Sequence, residues 1–446
     1  MVTPPGTSPV TRHASPGNTH LRVAIVGGGY AGMTAAVELA NRGAAVTVFE
    51  AGKILGGRAR RVEIDGIALD NGLHILIGAY RETLRLIDLT AASGETQNLI
   101  RLPLELTMFP DFSMRVPRLP APFHLGSALL LARGLGFGDK LRAARFMLSM
   151  RRKHFRITAD TTVSNLLLLH RQPERVKRLL WNPLCISALN TPPDQASAQI
   201  FLNVLRDSLN GTPADSDLLL PAVDYSVLFP ERAARYVEAC HGQIRLGVTI
   251  ASIQPTGAGF ELGPDAGNFD RVIVAVSPHR LAALIAPLPQ LDPVRMMIEA
   301  FSYQPIYSVY LQYPAATRLP FRMGGLDATY SQWAFDRGQL CGQHGLIGVV
   351  ISASGAHQDL PQDELAAKVH GELASVMPGL PAPQWHRVIA EKRATFTCTP
   401  GMTRPGNSTP LPGLFLAGDY TASDYPATLE AAVRSGVRAA QLAMKT

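Results

Sequence analysis

Three glycines at one spacing constrain this chain more than any other feature. Gly27-x-Gly29-x-x-Gly32 follows the apolar run Leu21–Val26 and precedes the helical stretch Ala31–Arg42, after which Ala44–Phe49 reads as a second strand. Strand, glycine turn, helix and strand in this order make a βαβ unit. The first glycine permits a tight turn, the second lets the backbone approach a pyrophosphate, and the third lets the helix pack close to the strand. Tyr30 and Ala31 open that helix, whose unpaired N–H groups and partial positive charge suit an anion. Glu50 closes the second strand, 18 positions past Gly32, where its carboxylate can accept hydrogen bonds from ribose hydroxyls. Together these features predict dinucleotide binding.

The rest of the chain is long and apolar enough to build around such a unit. Of 446 residues, 46% are hydrophobic and 17% charged, which excludes a disordered chain. Apolar runs such as Val163–Leu169 fall well short of the ~20 residues needed to span a bilayer. Residues 1–20 hold Pro4, Pro5, Pro9 and Pro16 with no apolar core of a signal peptide, and read as a disordered tail. Cys185, Cys240, Cys341 and Cys398 form no CxxC pair, so reduced thiols and a cytoplasmic setting are expected, with no metal site.

Runs suited to buried parallel strands lie at the start, at Arg271–Val276 and at Leu414–Ala417, before a last helix Thr428–Met444. Helical patterns cover Tyr80–Leu89, Gly126–Arg156, Thr162–His170, Pro173–Ala188 and Gln195–Leu209. Val248–Ile253 and Phe260–Leu262 read as a hairpin, and Pro305–Tyr313, Thr329–Phe335 and Leu346–Ala353 as an antiparallel sheet. The fold class expected is α/β: a discontinuous Rossmann-like domain (21–74, 222–285, 410–446) with an inserted α+β substrate domain (75–221, 286–409).

The net charge of +7 is unevenly placed. Arg133, Lys140, Arg142, Arg145, Arg151, Arg152, Lys153 and Arg156 share their stretch with one acid, Asp139, and with interleaved apolar residues. Such a helix either packs its apolar side into the core or lies on an anionic membrane surface. It lacks the reader module and interleaved stacking aromatics of a nucleic-acid binder, so no nucleic acid is expected.

Four further segments favour FAD over NAD. Gly56-Gly57-Arg58 follows Glu50, and the Arg58 fork suits pyrophosphate oxygens. Asp70-Asn71-Gly72-Leu73-His74 comes next. Gly418-Asp419 ends the last strand, where Asp419 would meet ribityl or pyrophosphate. Ala427, Thr428 and Leu429 then open the last helix, whose N–H groups would face the flavin pyrimidine.

These residues resemble the FAD-dependent amine oxidase and phytoene desaturase superfamily, in which Val248 would match the residue whose backbone holds the adenine. The stretches Leu69–Leu84, Trp181–Pro193, Phe201–Ser208 and Glu391–Phe396 are similar to those of the hydroxysqualene dehydroxylases of hopanoid biosynthesis. Leu73 departs from the pattern, which implies Gln between Gly72 and His74.

The resemblance implies reductive removal of a hydroxyl from hydroxysqualene to give squalene. It also implies FAD, an isoprenoid lipid substrate in an apolar tunnel, and an unidentified reductant for the flavin; noncovalent attachment is expected because no Cys lies in the final flavin-facing segment Gly413–Thr446. Peripheral contact with the inner face of the cytoplasmic membrane follows from such a substrate. His74 is the candidate acid or hydrogen-bond donor, or else bonds only cofactor or backbone. Asp424 and Tyr425 precede the flavin-facing helix; Asp424 reads as its cap or as solvated, and Arg81–Glu82 as a surface pair. A carotenoid desaturase, an amine oxidase and a non-catalytic prenyl-lipid carrier remain alternatives.

Overall fold

The computed structural model describes residues 21–92, 98–120, 123–209 and 211–445; the tail expected over residues 1–20 lies outside them. Five parallel strands form the central sheet, in the order Gln243–Leu246, Ala45–Glu50, Arg22–Val26, Arg271–Val274 and Leu414–Leu416. Their near-continuous aliphatic sequences suit a sheet covered on both faces. The helix Tyr30–Ala40, buried at every residue, lies on one face between Pro230–Ala239 and Leu429–Ala443. On the other face Phe49 meets Phe269 edge-on, with ring centroids 5.8 Å apart. All C-terminal strand ends therefore point to one edge, which is where ligands bind in such sheets.

A seven-stranded mixed sheet faces that edge, in the order Trp385–Phe396, Tyr303–Gln312, Leu346–Ser352, Trp333–Asp336, Met323–Leu326, Glu105–Phe109 and Phe112–Arg115. The helix Gln362–Val376 covers its outer face through Leu365, Val369 and Leu373. The first five of these strands, Trp385–Phe396 to Met323–Leu326, pair antiparallel, as the alternation of Pro305–Tyr313, Thr329–Phe335 and Leu346–Ala353 implies, and Glu105–Phe109 joins parallel.

Several expectations need correction. Gly126–Arg156 is not one helix but two, Phe123–Leu131 and Phe137–Arg152. Gly134 breaks it at φ +84°, where a side chain would run into the Asp111 carbonyl, while Arg133 bonds back to Ser113. The hairpin pairs Gln254–Thr256, not Val248–Ile253, with Gly259–Glu261. The earlier segment is held elsewhere, because the Val248 N–H donates to the Glu50 carbonyl at 3.0 Å. The strands Leu99–Leu102, Glu105–Phe109 and Phe112–Arg115 lie where no strand is read from the sequence. Arg81 and Glu82 do not pair with each other: Arg81 reaches Asp215 at 3.2 Å and Glu82 holds Arg85 at 2.9 Å.

Candidate active site

A cavity of about 1160 Å³ runs along the edge of the parallel sheet and ends against the seven-stranded sheet. Of the residues singled out above as cofactor-binding, Gly27, Gly29, Tyr30, Ala31, Glu50, Gly57, Arg58, Gly72, Leu73, His74, Val248, Gly418, Asp419, Ala427, Thr428 and Leu429 line it. Gly32 lies behind the wall, where a side chain would collide with the Gly27 carbonyl oxygen. Gly27 itself has φ +115°, a conformation side chains disfavour.

One end of the cavity is built on Glu50. Its carboxylate accepts from the Gly28 N–H and the Gly52 N–H, both at 2.7 Å, so its orientation is set before any ligand arrives. The Val248 N–H is engaged by the Glu50 carbonyl at 3.0 Å, and Val248 lines the same end of the cavity. Thr249, Ile250 and Ala251 continue this wall and were not singled out from the sequence, where they read as strand.

The middle of the cavity is electrostatic. A bridge joins Gly29 to Gly56, so the two glycine loops cross with no side chain between them. Arg58 reaches Asp419 at 2.6 Å and donates to the Ala394 carbonyl at 2.6 Å. Partial burial opposes the Arg58 charge, but Asp419 and Glu391 outweigh it and hold its pKa above the ordinary value. Arg58 is thus a fixed cation on the same cavity as the uncapped N-terminus of the helix Tyr30–Ala40, which fits a pyrophosphate. Asp419 is tied to that cation, 6% exposed and still on the wall.

The loop Asp70–His74 is held from beneath. Asp70 accepts from the Tyr225 N–H at 3.1 Å and pairs with Arg337 at 3.0 Å, while its carbonyl accepts from the Tyr310 hydroxyl at 2.8 Å. The Tyr225 hydroxyl donates to the His74 carbonyl. Leu73 packs on Gly348, filling the space a side chain there would need. The His74 Nε2 is buried and has no partner. Burial, then Arg58, lowers its pKa to about 4, so the ring is neutral at neutral pH.

Thr428 caps the last helix, accepting from the Ala431 N–H at 3.2 Å. Asp424 does not cap it; the side chain is exposed and its carbonyl takes Asn203. Tyr425 turns away from the cavity to Asp207, at 2.7 Å. The far wall comes from Ala188, within the singled-out stretch Trp181–Pro193, and from Ile306, Trp333, Phe335 and Val350, which no motif marks. Trp333 donates to the Ser187 hydroxyl at 2.8 Å. Tyr420 also lines the cavity, buried, with a hydroxyl that has no partner. Its place right after Gly418-Asp419 was the only sequence signal for it.

The glycine cradle, the oriented Glu50, the Arg58 cation and an unpartnered polar atom under an apolar wall define a flavin-dependent oxidoreductase. The chain belongs to the flavin containing amine oxidoreductase family, whose model matches residues 30–444. It is 29% identical to hydroxysqualene dehydroxylase of Rhodopseudomonas palustris, over 95% of this chain and 98% of that one. It is 24% identical to zeta-carotene desaturase of Zea mays, over 94% and 82%. Among solved structures, an oxidoreductase from Methanosarcina mazei superposes with a TM-score of 0.71 at 16% identity, covering 94% of this chain and 100% of that one.

Proposed function

We propose that this flavoenzyme binds FAD noncovalently and reductively removes the hydroxyl of hydroxysqualene, giving squalene and water. The observation that carries the reading is the apolar, aromatic wall of Trp333, Phe335, Ile306 and Val350 at the end of a cradle sized for a dinucleotide. A long hydrocarbon offers no charge to grip, so its pocket needs apolar walls and few polar atoms. The full-length similarity to a hydroxysqualene dehydroxylase supports the choice of substrate. Residues 21–74, 222–285 and 410–446 would hold the cofactor, and the inserted segments the substrate.

Bound in reduced form, FAD supplies the hydride that replaces the hydroxyl; a separate reductant must recharge it. The protein has three tasks. The faces of Trp333 and Phe335 stabilise the allylic cation that forms as the hydroxyl leaves. His74, neutral at working pH, acts through Nε2 as a hydrogen-bond donor or acceptor, not as an imidazolium acid. The Tyr420 hydroxyl, whose pKa burial raises, is the second polar atom available to the leaving oxygen; the proton that turns the departing hydroxide into water is drawn from solvent and handed on through this hydroxyl, which is left protonated. Noncovalent attachment is supported by the cysteines: none of the four lines the cavity. Substitution of Trp333 by Leu tests the wall: turnover of hydroxysqualene should fall while flavin content stays at the wild-type level. Unchanged turnover would remove Trp333 from the site.

A further inference from the structure

Large hydrophobic side chains on the surface are concentrated in one region. Phe123, Leu130, Leu131, Phe137, Leu141 and Leu148 are between 40% and 75% exposed. The helix Phe137–Arg152 is apolar on two opposite sides. Ala143, Phe146 and Met150 are buried in the protein. Phe137, Leu141, Ala144 and Leu148, spaced by three, four or seven, form a second stripe that faces outward. Lys140 and Arg151 flank that stripe on one side, Arg145 and Arg152 on the other. Arg142, Arg145, Arg151, Arg152 and Lys153 are all exposed, so their charge faces solvent. Lys140 donates to the Leu130 carbonyl at 2.7 Å, which ties the end of Phe123–Leu131 to the start of the stripe.

We propose that this face, the outer stripe of Phe137–Arg152 with Leu130 and Leu131 beside it, docks on an anionic phospholipid bilayer. The charge selects the occupant. A second copy meeting the same face would set basic side chains against basic ones, whereas a bilayer offers anionic head groups above an apolar interior. The proposal deepens the lipid-substrate reading and rests on it for its purpose. Phe146 of the same helix meets Trp181 with ring centroids 5.2 Å apart. Ser187 and Ala188, on the cavity wall, follow Trp181 about 9 Å further along that helical run. The docking helix thus packs, through its buried side, on the helical run that carries Ser187 and Ala188 to the cavity wall.

Co-sedimentation of the flavin-loaded protein with vesicles of phosphatidylcholine and phosphatidylglycerol, and of phosphatidylcholine alone, tests this. The wild type should sediment with the anionic vesicles and much less with the neutral ones. Each cation near an anionic surface contributes about five-fold to binding, so Arg151→Glu/Arg152→Glu/Lys153→Glu, which removes three cations and adds three anions, should lose at least on the order of a hundred-fold. High salt should weaken the wild type in the same direction. Leu131→Asp/Phe137→Asp should lose at least about ten-fold. Both variants should keep wild-type flavin content and turnover of detergent-dispersed hydroxysqualene. Wild type that stays in the supernatant with anionic vesicles overturns the proposal, as does either variant binding normally. So does a wild-type dimer that the variants split. Absent turnover in every protein would instead count against the substrate, and the vesicle result would stand.

Discussion

Replacing Arg337 with Leu should show how the flavin-side loop is held. The Arg337 and Asp70 side chains are 5% and 1% exposed and 3.0 Å apart. At that distance the gross attraction is about 5 kcal/mol for an effective dielectric near 20, set against the desolvation of both ions. Removing one partner strands the other, and such losses run to about 3–5 kcal/mol. Burial pushes the Asp70 carboxyl up and Arg337 pulls it down, with burial the larger; without Arg337 it rises further. A raised carboxyl pKa favours the folded state at low pH and loses that advantage as pH rises through the folded value. The cost of Arg337→Leu should therefore be largest at neutral pH and shrink as the medium is acidified. Asp70→Asn strands a guanidinium that does not titrate, so its cost should not shrink with it. The double variant should cost less than the two single costs added, by about 0.5–3 kcal/mol. Urea unfolding of the flavin-loaded proteins at pH 7 and pH 5 measures all of this. Single variants within about 0.5 kcal/mol of wild type, or strictly additive costs, would refute the reasoning.

Glu50→Ala and Arg58→Ala should each weaken FAD binding by about 1.5–3 kcal/mol, since each removes charge-assisted hydrogen bonds; full flavin occupancy in both purified variants would sink the assignment. Gly32→Ala puts a methyl against the Gly27 carbonyl oxygen, so it should abolish flavin binding or soluble expression. A well-folded, yellow Gly32→Ala protein would contradict that packing. His74 stays unprotonated in the folded state down to about pH 4, while the unfolded chain takes up its proton near the ordinary 6.5. Stability linked to it is present above that value and lost as pH falls towards 4. His74→Gln should flatten that fall in urea midpoints; an unchanged slope would count against a buried neutral ring. Acid precipitation should leave the yellow colour in the supernatant, and colour in the pellet would mean a covalent flavin.

The cradle was legible because its chemistry is contiguous. Gly27 to Gly32, Glu50 and Arg58 lie within a few turns of chain, and each residue type has one physical use at its position. The substrate wall was not. Trp333, Phe335 and Val350 sit on strands whose alternation reads the same whether a face meets core or cavity. The pair Asp70–Arg337 was invisible for another reason: its members come from distant parts of the chain, and neither stands in a recognisable spacing. Glu105–Phe109 and Phe112–Arg115 escaped because they are short and separated by Pro110. The break at Gly134 hid inside an otherwise helical composition.

The central claim is a reductive dehydroxylation, and one anaerobic experiment addresses it directly. Protein carrying fully reduced flavin is mixed with hydroxysqualene, the flavin spectrum is followed, and the lipid is analysed by mass. The account expects the flavin to reoxidise as squalene forms, one equivalent for one, with a product that has lost a single oxygen and kept its hydrogen count. Flavin that stays reduced beside unchanged hydroxysqualene would contradict it, above all if the oxidised protein instead removed hydrogen from a carotenoid precursor.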